Sequence, residues 1–171
     1  MIGILGILSV IGLSAFTSAV ARGKDTRRKN DLSQLAKSLE AYMGDFGVYP
    51  DNDVSGRIVG CSPEGSSTPQ ACPVTAGGKF QRGRTTGSLI EKIVYLDKFP
   101  SDPDTSKKYY YENTGSPGFA LYASLDNDQD KDVRSDVDGN PIAAGWDSED
   151  DVDCGPKPCN YKLTQSGVVR Q

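Results

Sequence analysis

Between residues 126 and 132 the chain reads Asp126-Asn127-Asp128-Gln129-Asp130-Lys131-Asp132, with a carboxylate at every second position. On a loop that curls, such oxygens can converge on Ca²⁺, which takes about six to eight hard oxygen ligands. Asp136 and Asp138 precede Gly139 and extend the set. The candidate metal ligands are therefore Asp126, Asp128, Asp130, Asp132 and Asp138. An EF-hand is a poor match, because Lys131 stands where that loop needs glycine and no Glu closes it. The alternative is a solvated acidic loop, whose uncompensated carboxylates would repel one another across a few ångströms. Asp147, Glu149, Asp150, Asp151 and Asp153 form a second acidic cluster.

Four cysteines fall as two local pairs, Cys61 with Cys72 and Cys154 with Cys159. Each pair brackets a Gly/Pro-rich stretch, so local disulfides are the expected pairing. Such bonds fit an extracellular or periplasmic compartment. Zinc is the alternative, but the two-residue spacing of zinc knuckles is missing and the chain has no histidine. The same lack of histidine removes the commonest catalytic base. No phosphate-binding glycine loop or nucleophile elbow is present. Paired acids can hydrolyse glycosides, yet here they cluster in one segment instead of facing each other across a groove. The expectation is a protein that is not an enzyme.

The element that must position these groups starts at the N-terminus. Met1 to Ala21 carry no charge, and Arg22, Lys24, Arg27, Arg28 and Lys29 follow. That is close to the ~20 residues that span a bilayer, with a basic border beside it. Three readings compete: a cleaved signal peptide, a single-span anchor, or a helix that leaves the bilayer and packs among copies of itself. No basic residue precedes the apolar stretch, which argues against the signal peptide. Gly3, Gly6, Ser9, Gly12 and Ala15 recur at every third position. At about 3.6 residues per turn each step falls back about 60°, so the small residues wind around the helix. Small residues let helix backbones approach closely, and a spiral of them suits neighbours on several sides.

Leu32, Leu35, Ala36, Leu39, Tyr42, Met43 and Phe46 continue the pattern as one apolar stripe. One helix is expected from Ile2 to Met43, ended by Gly44, Gly47 and Pro50. The chain thus divides into 1–21, an apolar helix half for membrane or filament core, and 22–171, an amphipathic helix half plus a globular α+β head. Residues 51–87 read as a long loop, and Ser88–Leu96 as a short helix with Leu89, Ile90, Ile93 and Leu96 inward. Tyr109–Tyr111, Phe119–Leu125 and Asn160–Thr164 are strand candidates, and Asn113–Gly118 is a hairpin loop. Trp146 is the expected anchor of the C-terminal loop. The net charge of −4 hides a basic stretch at 22–40 and an acidic one at 126–153. Nucleic acid is not the expected partner, since a phosphate footprint needs a positive surface. Acidic lipid headgroups, or the acidic cluster of a neighbour, suit the basic collar better.

Several blocks resemble the type IV pilin superfamily, in particular the major pseudopilin of type II secretion. They are Ile7-Leu8-Ser9, the run Lys24 to Leu32, Leu39-Glu40-Ala41-Tyr42, Asp45 to Pro50, Tyr95-Leu96 with Phe99-Pro100, Asp102-Pro103, and Tyr109–Tyr111 before Phe119–Tyr122. The resemblance implies an α+β fold, with a long N-terminal α-helix packed on a small antiparallel β-sheet head. It also implies a homo-oligomeric helical filament, a prepilin peptidase and an inner-membrane assembly machinery. The subunit would sit in the membrane before assembly and in a cell-surface filament afterwards. Resembled pseudopilins can bind Ca²⁺ in the loop after this strand. The family's processing motif, Gly followed by Phe-Thr-Leu-Ile-Glu, has no counterpart here, so no residue is assigned the assembly glutamate. Two alternatives stay open: a major pseudopilin in a periplasmic pseudopilus, and a monotopic Ca²⁺-binding surface protein that does not polymerise.

Overall fold

The computed structural model describes residues 2–73, 78–115 and 118–170, without the side chains of 2–15, 148 and 149. Helix α1, Ile2–Phe46, is 45 residues long and so runs about 68 Å at about 1.5 Å per residue. It extends past Gly44, further than expected. Gly47 ends it at φ 73°, where its N–H donates to the Met43 carbonyl at 2.8 Å. Left-handed backbone favours glycine at such a cap.

The second half of α1 behaves as its stripe predicts. Leu32, Leu35, Leu39 and Tyr42 are buried, with Ala36, Met43 and Phe46 packed beside them. Ahead of the head the helix emerges: Phe16 is 66% exposed and Val20 42% exposed. The small residues Gly3, Gly6, Ser9, Gly12 and Ala15 lie on this same continuous helix, but their side chains fall outside the described residues. Among the residues described with their side chains, no helix is long and apolar enough to cross a membrane.

Among the described residues three antiparallel sheets build the head. The first joins β1 (Asp51–Asn52), β2 (Ile58–Cys61) and β3 (Gln70–Ala71) in that order. The second is a hairpin of β4 (Phe80–Thr86) and β5 (Leu89–Leu96). The third runs β6 (Tyr110–Gly115), β7 (Gly118–Ala123), β8 (Tyr161–Thr164) and β9 (Gly167–Val169) in chain order. A short helix, α2 (Asp147–Asp150), lies in the long β7–β8 connection. The fold is thus α+β, one N-terminal helix with several antiparallel sheets.

Two expectations need correction. Residues 51–87 are not one loop, because they contain β1 to β3 and all of β4. Ser88–Leu96 is not a helix: β5 pairs with β4 from Thr86↔Leu89 to Phe80↔Leu96, with a bulge that leaves Tyr95 without an opposite residue. Leu89 is 73% exposed, so it does not point inward. The i, i+1, i+4, i+7 spacing of its apolar residues imitates a helix. The β-branched Ile90, Ile93 and Val94, after a turn at Gly87 with φ 65°, are what a hairpin requires.

Strand β7 is buried on both faces, and this sets the layering. Phe119 and Leu121 face the α1 core with Tyr111. Ala120 and Tyr122 face a second core with Tyr110, Trp146, Val152 and the Cys154 and Cys159 side chains. The order is therefore helix, sheet, then C-terminal connection. Two cations lie against Trp146, with Arg134 4.3 Å and Lys162 4.5 Å from its ring centroid. Cation–π contact of this kind helps hold an indole in place.

Candidate functional site

The acidic segment does not stand alone in solvent. It folds back onto the basic part of α1 and makes a charge junction where the helix leaves the head. Arg28 is the centre, with no exposed surface at all. Its Nη1 donates to Asp25 at 2.7 Å and to Asp126 at 2.8 Å. Its Nε and Nη2 grip Asp102 at 2.9 and 3.0 Å, a bidentate fork. Lys107 adds a second cation to Asp126, at 2.6 Å.

Electrostatics follow from this geometry. Burial alone would lower the basicity of Arg28, but the Asp102, Asp126 and Asp25 carboxylates outweigh it and hold the guanidinium charged. Burial would raise the Asp126 carboxyl, yet the bonds from Lys107 and Arg28 pull it down to about 2. One step along α1, Lys29 Nζ bridges Asp130 at 2.5 Å and Asp132 at 2.8 Å. Burial opposes the Lys29 charge as well, and those two carboxylates again prevail.

Backbone groups complete the junction. The Asp25 carboxylate accepts the N–H groups of Asp126 and Asn127 at 2.8 and 2.9 Å. Asp31 accepts the Tyr109 hydroxyl at 2.8 Å. Helix, β6 entry and post-β7 loop are locked together within three turns of α1.

The five candidate metal ligands are distributed as follows. Asp126 lies on Arg28 and Lys107, Asp130 on Lys29, and Asp132 on Lys29 and Arg170. Asp128 is exposed, with Asn160 Nδ2 3.4 Å from its Oδ1. Asp138 belongs to a separate turn closed on the Asp136 carboxylate. Among the described residues no three Asp, Glu, Cys or His side chains gather to hold a metal ion. As arranged, Asp126, Asp130 and Asp132 are engaged by lysine and arginine instead of converging on a shared point. In the second acidic cluster, Asp150 pairs with Lys162 and Asp153 with Lys108.

Both disulfides join local pairs, Cys61 to Cys72 and Cys154 to Cys159, with Cα–Cα separations of 5.0 and 5.3 Å. The first ties β2 to the end of β3. The second fastens the connection that covers Tyr122 and Trp146.

Sequence reasoning missed Asp25 and Asp102 as junction residues. Asp25 stands among basic residues, and an i, i+3 Asp–Arg spacing is the one local signal it offers. Asp102 reads only as a turn residue before Pro103. No family profile, characterised protein or solved structure matches the chain.

Proposed function

We propose that the protein is a structural subunit of a pilin-like filament, assembling through the N-terminal half of α1 while the head forms the exterior. One observation carries the reading: a single 45-residue helix is core from Leu32 to Tyr42 and exposed at Phe16 and Val20, where it leaves the head. Its stripe from Leu32 to Phe46 is satisfied within the head. The helix continues N-terminal to Phe16 through an uncharged, apolar sequence, and an apolar segment of that length is favoured by lipid or by other helices. The resemblance to type IV pilins supplies the filament as the cover.

In this reading the charge junction has a mechanical task. The helix is gripped by the fibre core, and load reaches the head through α1. Arg28 and Lys29 sit where the helix enters the head, so they resist peeling of the sheet from the helix. Calcium is not part of the proposal. The route to assembly follows the resemblance: insertion in the inner membrane, leader processing by a prepilin peptidase, then extrusion to the cell surface.

Electron microscopy of material sheared from producing cells tests this directly. Long fibres labelled by an antibody to the head are expected. Fibres that are short and appear only on overproduction would indicate a periplasmic pseudopilus. Absence of fibres, with the protein retained on membranes, would indicate a monotopic surface module.

A further inference from the structure

Arg82 is a cation of the head with no counterion among the described residues. It lies on β4, with its guanidinium carbon 4.4 Å from the Phe46 ring centroid and 5.3 Å from that of Tyr42. Its Nε is shielded from solvent and has no hydrogen-bond partner among the described residues. No carboxylate among the described residues pairs with it, whereas Arg84, two positions on, is held by Asp45 and Glu91. Burial pushes the Arg82 guanidinium down from its ordinary value. Partly buried charge without a partner is costly, so the site gains from an incoming anion.

Arg82 also lines an open cavity of about 890 Å³ beyond the C-terminal end of α1. Met43, Val48, Tyr49 and Pro50 give it an apolar wall, and Asn113 contributes an amide. That amide is engaged, donating to the Pro50 carbonyl at 3.1 Å, so it fixes the wall. Asp51 also lines the cavity and disfavours a second negative charge on any occupant.

We propose that this cavity binds a small monocarboxylate with an apolar body, its carboxylate on Arg82 and its body against Met43, Val48 and Pro50. A guanidinium already stacked on aromatic rings keeps its edge for a carboxylate, and the planar fork matches that group in two hydrogen bonds. The site is independent of the filament reading, because none of its residues lies in the N-terminal half of α1.

Benzoate and its neutral near-isostere benzamide are the probes, titrated into the full chain and followed by amide NMR. Benzoate is expected to shift Val48 and Asn113 saturably, and benzamide to bind at least about tenfold more weakly, as loss of a charged hydrogen bond implies. Arg82→Gln should weaken benzoate by at least about the same factor at an unchanged melting temperature. Equal affinity for the two probes, or no saturable shift with benzoate, overturns the proposal. That comparison uses the wild-type chain and stands even if the variant fails to fold. Benzoate that acts only by dissociating a dimer in sedimentation also overturns it, since the natural occupant is then a second copy's acid.

Discussion

Arg28 and Asp25 lie one turn apart on α1, joined by a 2.7 Å hydrogen bond, and neither reaches solvent appreciably. The bond does more than stiffen the helix. Asp25 also accepts two backbone N–H groups from the loop after β7, and Arg28 holds Asp102 and Asp126. The pair thereby converts one helical turn into a socket for two distant segments of the head.

Arg28→Met tests the socket. The variant keeps the side-chain volume but leaves Asp25 and Asp102 buried without their cation. Breaking a buried pair from one side costs about 3–5 kcal/mol. Urea melts of the variant should show a loss of that size. A change below about 1 kcal/mol, the range of surface pairs, contradicts the account.

Acid should loosen the same junction. The Asp126 carboxyl is lowered from its ordinary 3.8 to about 2 in the folded chain. Its folded value lies below the unfolded one, so its stabilisation is complete above the ordinary value. It is lost as pH falls through the window down to about 2, and amounts to about 2 kcal/mol. Asp126→Asn should therefore flatten the acid limb of stability against pH. An unchanged acid limb would show that Asp126 is not linked to folding.

The disulfides close loops of different length, with sequence separations of 11 and 5. Chain-entropy arguments assign about 3 kcal/mol to the longer and about 2 kcal/mol to the shorter. Cys61→Ser with Cys72→Ser should lower the melting temperature. Cys154→Ser with Cys159→Ser should also expose Trp146, read as a red shift and easier quenching of its fluorescence. A quenched and shifted Trp146 in the first pair alone would reverse this assignment.

Calcium should have little effect on the head. With Lys29 on Asp130 and Asp132, and Arg28 on Asp126, a divalent ion would have to displace protein cations. Addition of a chelator, or of calcium, is expected to leave the melting temperature unchanged. A calcium-dependent rise would mean that these carboxylates regroup around the ion.

The helix was legible because its stripe from Leu32 to Phe46 repeats at helical spacing over several turns, and burial follows that stripe. Strands β6 to β8 were legible from aromatic and apolar runs bounded by turns. The β4–β5 hairpin was not: Leu89, Ile90, Ile93 and Leu96 carry a helical period by coincidence, and partner strand β4 is polar. Strands β1 and β3 span two residues each, too few to show any period. The acidic segment was seen, but its partners were not. Arg28 reaches Asp102 and Asp126 across 74 and 98 residues of sequence, and no local pattern records contacts of that range.

Phe16→Asp separates assembly from folding. Phe16 is exposed on α1 ahead of the head, so the charge disturbs no described core contact. Electron microscopy of sheared material should show long fibres for the wild-type chain and none for the variant, with equal melting temperatures for the two heads. Fibres that persist in the variant, or a wild-type chain that never forms them, would contradict assembly through the N-terminal helix.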